Sequence, residues 1–102
     1  MSLDISILDE NGAPKGDVPL GVDEHWAILQ EAKRLGLPLW NRMSEYYEDA
    51  DYAREEVSPL ADETALLRNS CKETTLGAKL EEIQKLLRAA IDGHNKVSAI
   101  AD

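Results

Sequence analysis

Histidine, cysteine and closely paired carboxylates do most acid–base, nucleophilic and metal chemistry in proteins, and the first two are scarce in this chain. There are two histidines and one cysteine, spread from His25 through Cys71 to His94. A zinc site draws on His and Cys ligands at close local spacing, which this distribution does not supply. Cys71 falls on the apolar face of an expected helix, where a cysteine is a small buried hydrophobe rather than a nucleophile. Asp49 and Asp51 have the D-x-D spacing that opens a calcium loop. Such a loop needs glycine at its sixth position and glutamate at its twelfth, and Arg54 and Leu60 stand there instead. No G-x-S-x-G, glycine-rich phosphate loop or H-E-x-x-H occurs. Carboxylate pairs are so numerous that no single pair carries information. We therefore expect no catalytic residue, metal site or cofactor, and a chain that is not an enzyme.

One segment stands above this background. From Glu45 to Glu63 the chain carries Glu45, Glu48, Asp49, Asp51, Glu55, Glu56, Asp62 and Glu63 against one base, Arg54. All three tyrosines, Tyr46, Tyr47 and Tyr52, fall inside it. Crowded carboxylates raise the local negative potential and accept charge-assisted hydrogen bonds from lysine and arginine. Tyrosine adds a broad contact and a hydroxyl, and is enriched among residues that dominate binding energy. The competing reading is structural: Tyr47 packs with Trp40 and Met43, Tyr52 closes a helix junction, and the acids solvate a loop.

Composition points the same way. The 102 residues carry 20 acids and 11 bases, a net charge of −9. Such a surface repels phosphate backbones and anionic membranes and attracts basic proteins. No apolar run approaches the length of a membrane span. Neither a signal peptide nor an internal disulfide is expected, which suits a cytoplasmic location.

The elements that must position the segment read as follows. Leu3, Ile5 and Ile7 alternate with polar residues, the period of a half-buried strand. Asn11-Gly12, Pro14 and Gly16 mark a turn, and Val18 to Val22 returns as an edge strand limited by Pro19. Asp23 is the expected cap of a helix over 24–35, with Trp26, Leu29, Ala32 and Leu35 inward and Gly36 ending it. Leu39, Trp40, Met43 and Tyr47 predict a short second helix, and Tyr52 to Val57 a further helical turn. Ser58-Pro59 reads as the start of a helix to about Cys71. Thr75 caps the last helix, whose stripe is Leu76, Leu80, Ile83, Leu86, Leu87, Ala90 and Ile91. The tail leaves two alternatives open, a strand paired with the hairpin or a frayed end. The expectation is one domain over 1–102: a hairpin or extended arm at 3–22, a helical body at 23–93 and a tail at 94–102. Its fold class is mostly α, a bundle of three to five helices, with α+β as the alternative.

Tyr46-Tyr47, flanked by Glu45, Glu48 and Asp49, resembles the paired tyrosines among acids at the toxin-binding face of the small bacterial immunity proteins that block nuclease colicins. The Leu3-Asp4-Ile5 opening and Gly21-Val22-Asp23-Glu24-His25-Trp26 are similar to small proteins of bacterial toxin–immunity loci. The expected hairpin departs from the all-helical fold of the colicin immunity proteins. The resemblance implies a non-enzymatic inhibitor that neutralises a cognate, basic toxin by blocking its substrate-binding surface. Tyr46, Tyr47 and Tyr52 would be the anchors, and Glu45, Glu48, Asp49, Asp51, Glu55 and Glu56 would steer and pair. The alternative is a helical adaptor or self-associating structural protein.

Overall fold

The computed structural model describes residues 2–71 and 75–101. Met1, residues 72–74 and Asp102, which fall within the expected domain span, lie outside the described residues. The elements run β1 (Leu3–Leu8), β2 (Pro14–Leu20), α1 (Val22–Leu35), α2 (Pro38–Asn41), β3 (Ala50–Tyr52), α3 (Arg54–Cys71), α4 (Thr75–Asp92) and β4 (Lys96–Ala101). The strands form one antiparallel sheet in the order β2-β1-β4-β3. The fold is therefore α+β, which corrects the mostly α bundle expected from the sequence. Two segments account for the difference. The tail becomes β4 and pairs with β1 along its whole length, from Leu8↔Lys96 to Leu3↔Ala101. The stretch at Tyr52 is not helical but ends β3, which lies against β4 through Ala50↔Ala99 and Tyr52↔Val97.

The sheet turns one row of apolar side chains toward the helices by simple alternation, and Ser6 and Ser98 on its other face are buried as well. Leu3, Ile5 and Ile7 of β1 sit beside Leu20 and Val18 of β2, beside Val97 and Ala99 of β4, and through β4 beside Ala50 and Tyr52. Over them pack Leu60 and Leu67 of α3 and Leu80, Ile83 and Leu87 of α4. The opposite face carries the cross-strand row Asp17, Ser6, Ser98 and Asp51. The β1–β2 turn is closed by Asp9, whose Oδ1 accepts from the amides of Asn11 and Ala13 at 2.9 Å each, with Gly12 at φ 80°. β2 is an edge strand, as its Pro14 and Pro19 require.

Helix boundaries follow their capping groups. α1 begins two residues earlier than the 24–35 expected, because Glu24 reaches back to accept the Gly21 amide at 2.9 Å and displaces Asp23 as the cap. Its end is as anticipated: Gly36 turns left-handed at φ 68°, and the Gly36 and Leu37 amides bond back to Lys33 and Ala32. α3 begins at Arg54, so Pro59 lies inside it rather than at its first position. The start is set by Glu56, which accepts the Ala53 amide at 3.0 Å. Pro59 then costs only the bond to the Glu55 carbonyl, one turn from the helix end, where water reaches it. Thr75 is the first residue of α4 rather than its cap.

The short helix α2 is held from outside itself. The Glu63 carboxylate, buried in the middle of α3, accepts the Leu39 amide at 3.1 Å and the Trp40 amide at 2.9 Å. Trp40 is fully buried and its indole donates to Thr64 Oγ1 at 3.0 Å. Glu63→Gln offers an NH2 where a second acceptor is required. It should lower unfolding stability by about 1–3 kcal/mol in urea titrations followed by circular dichroism. An unchanged midpoint would mean that the carboxylate does not hold α2.

Candidate functional site

The tyrosine–acid segment occupies the 44–49 loop between α2 and β3, then β3 and the first turn of α3. The loop is pinned at three places. Met43 is buried and its carbonyl accepts from His25 Nε2 at 2.5 Å, so His25 carries its proton on that nitrogen. Tyr46 is half-buried, lies edge-on to His25 with ring centroids 5.1 Å apart, and donates its hydroxyl to the Leu20 carbonyl at 3.2 Å. Asp49 Oδ1 accepts the Ala101 amide at 2.7 Å, which extends the ladder beyond β3.

The nine residues expected to form one binding face divide into two groups. Glu45, Tyr47, Glu48 and Glu55 are exposed, and among the described residues none of these three carboxylates has an ion-pair partner. Tyr47 is 66% exposed, propped edge-on against Tyr46 at 5.2 Å. The other group is engaged internally. Tyr52 is 1% exposed and donates to the Leu39 carbonyl at 2.7 Å, with the Arg42 guanidinium 5.5 Å from its ring centre. Burial pushes its phenol well above the usual range. Asp51 accepts from Ser98 Oγ at 2.7 Å on the outer sheet face. Glu56 pairs with Arg42 and accepts the Ala53 amide. Asp49 and Tyr46 serve as loop pins. Of the two remaining acids in the segment, Asp62 is exposed and Glu63 is the buried cap of α2.

The sequence reading missed Trp26 and Val22. Trp26 was placed on the apolar stripe of α1, yet it is 64% exposed, and Val22 is 55% exposed. The buried stripe is His25, Ile28, Leu29 and Ala32. At 100° per residue, Val22 and Trp26 stand one turn apart on the flank of that stripe. Centring the stripe on Ile28 and Ala32 rotates Trp26 away from the core, a choice that residue order alone leaves open. Both leave the same two turns of α1 that hold His25, the residue against which Tyr46 packs. Asp23 opens that helix and is exposed without an ion pair among the described residues.

Among the described residues no three His, Cys, Asp or Glu side chains gather as metal ligands. Cys71 is buried, and that burial pushes its thiol up. No helix among the described residues is long and apolar enough to cross a membrane. No protein-family model, curated protein or solved structure matches the chain.

The Arg42 guanidinium and the Ala53 amide together hold the Glu56 carboxyl at about 2, against an ordinary 4.5. A carboxyl lowered on folding stabilises the native state above its unfolded value, and that contribution disappears as pH falls toward the folded one. Acid unfolding should therefore steepen between about pH 4.5 and 2, and Glu56→Gln should flatten that interval. Tryptophan fluorescence across a pH series reads both, and identical profiles would exclude the pair from acid stability.

Proposed function

We propose that this chain is a non-enzymatic inhibitor of the immunity type, which docks on the basic surface of a protein toxin and blocks it. The observation that carries the reading is the exposure of Tyr47, Trp26 and Val22, together with the exposed carboxylates Glu45, Glu48 and Asp23, which have no ion pair among the described residues; Tyr47 rests on Tyr46, which packs on His25 of the helix that carries Val22 and Trp26. Exposed tryptophan and tyrosine supply the anchors of protein interfaces, where a few such residues carry most of the affinity. The surrounding charge selects the partner: in a molecule of net charge −9, unneutralised acids speed encounter with lysine- and arginine-rich surfaces and repel acidic ones. Tyr46 and His25 support the site from below, so Tyr47 is presented on a loop whose backbone is already fixed. A fixed loop loses little conformational entropy on docking.

The internal uses of Tyr52, Asp49, Asp51 and Glu56 narrow the anchors proposed here to Tyr47, Trp26 and Val22, with Glu45, Glu48, Asp23 and Glu55 as the steering charges. Self-association through Val22 and Trp26 is the competing use of the same surface. Two copies would bring like charges together around a small apolar centre, which disfavours it.

The test is calorimetry and stopped-flow mixing with the proteins encoded by the genes on either side of this chain's own, a basic one being the expected partner. A 1:1 complex is expected, with an association rate that falls as salt rises. Trp26→Ala and Tyr47→Ala should each weaken it by about 2 kcal/mol, roughly 30-fold. The double reversal Glu45→Lys, Glu48→Lys should act mainly on the association rate. Binding indifferent to all four substitutions would refute the surface. Dimers of the isolated chain in sedimentation, abolished by Trp26→Ala, would favour self-association instead.

A further inference from the structure

A second feature lies on a different pair of helices. α3 and α4 run side by side, and a groove of about 580 Å3 opens between them. That volume falls within the range of small-molecule sites, roughly 300–1,000 Å3. Small side chains make the room: Ala65 on α3, Gly77 and Ala78 on α4. The remaining walls are polar, and two of their residues are arginines, Arg68 from α3 and Arg88 from α4.

These arginines differ from Arg34 and Arg42, though not from Arg54, in lacking an acid partner among the described residues. Arg34 is neutralised by Glu31 and Arg42 by Glu56. Among the described residues neither Arg68 nor Arg88 has a carboxylate partner. Arg68 is half-buried and instead donates from Nη1 to Gln84 Oε1 at 2.7 Å, and Gln84 itself is buried. An amide oxygen holds a guanidinium in place without cancelling its charge. Gln84 and Arg88 are one turn apart on the same face of α4, which sets the anchored Arg68 and Arg88 along the same stretch of groove wall. Among the described residues the carboxylate on the wall is Glu81, which lies 4.0 Å from the exposed Lys85 ammonium. Asn69 adds a neutral donor. In a chain of net charge −9, the groove thus sets two guanidinium groups, one of them held in place by an amide, against a single carboxylate among its described lining residues.

We propose that this groove binds a small molecule bearing two oxyanion groups, phosphates or carboxylates, one on each arginine. Guanidinium presents paired, parallel N–H donors that match both oxyanions, and a half-enclosed setting strengthens each bond.

The experiment is a 15N–1H correlation titration of the full chain with inorganic pyrophosphate and, separately, with citrate, ionic strength held constant with sodium chloride. Saturable shifts at Asn69, Gly77 and Ala78 are expected with at least one probe. Pyrophosphate alone would assign the phosphate class, and citrate alone the carboxylate class. Arg88→Gln, at an exposed position that leaves the core untouched, should weaken binding at least tenfold. Arg68→Gln should do the same, with circular dichroism confirming the fold. Lys15→Gln, far along the sequence on β2, should change nothing. The absence of saturable shifts with both probes would overturn the proposal, as would full-strength binding by Arg88→Gln. An equal loss in Lys15→Gln would also overturn it, because general charge would then be the cause.

Discussion

The arrangement depends on one buried carboxylate. α2 is a single helical turn and cannot sustain itself, since helices that short lack the bonds to offset their nucleation cost. Its amide ends must be satisfied from elsewhere, and Glu63 does so from α3 with two hydrogen bonds. Once α2 is fixed, Trp40 can bury its indole against Thr64, and the Leu39 carbonyl meets the Tyr52 hydroxyl. That last bond ties α2 to β3. The loop between them therefore starts and finishes at set points, and Tyr46 fastens its middle to the end of β2. The presentation of Tyr47 is a downstream effect of a charge placed inside the protein.

An acidic segment of this density has to solve a repulsion problem, and it does so by dividing its carboxylates. Glu56 is neutralised by Arg42, Asp49 and Asp51 accept hydrogen bonds from the sheet, and Glu63 caps a helix. Each of these charges meets a donor, which converts mutual repulsion into local structure. Glu45, Glu48 and Glu55 have no such internal role among the described residues. The distinction between structural and available acids lies in their hydrogen-bond partners, several of which are distant in sequence.

That explains which parts of the molecule were legible from residue order. β1, the Asn11-Gly12 turn, the end of α1 at Gly36 and the stripe of α4 are governed by neighbours a few positions away, and periodicity reveals them. β3 is three residues long, too short for alternation to register, and exists because β4 offers it a ladder. β4 itself was one of two open alternatives, because its pairing with β1 joins opposite ends of the chain. Trp26 was misplaced for a related reason: a helix stripe can be centred several ways, and only the packing partner decides which. Glu63 stood among eight acids as one more surface charge, since nothing local distinguishes a buried acid whose donors lie on another element. Arg88 reads from residue order as one of the charges on the solvent side of α4, and nothing local marks Arg68, whose tether comes from the neighbouring helix.

The edge of β2 illustrates how the same contacts serve a second purpose. Pro19 has no amide hydrogen to offer outward, the Lys79 ammonium occupies its carbonyl at 3.1 Å, and Tyr46 occupies the next carbonyl, that of Leu20. A foreign strand approaching this margin finds neither donors nor vacant acceptors along its last two residues. That stretch of the border is closed to strand addition, and the tyrosine that steadies the loop is part of the guard.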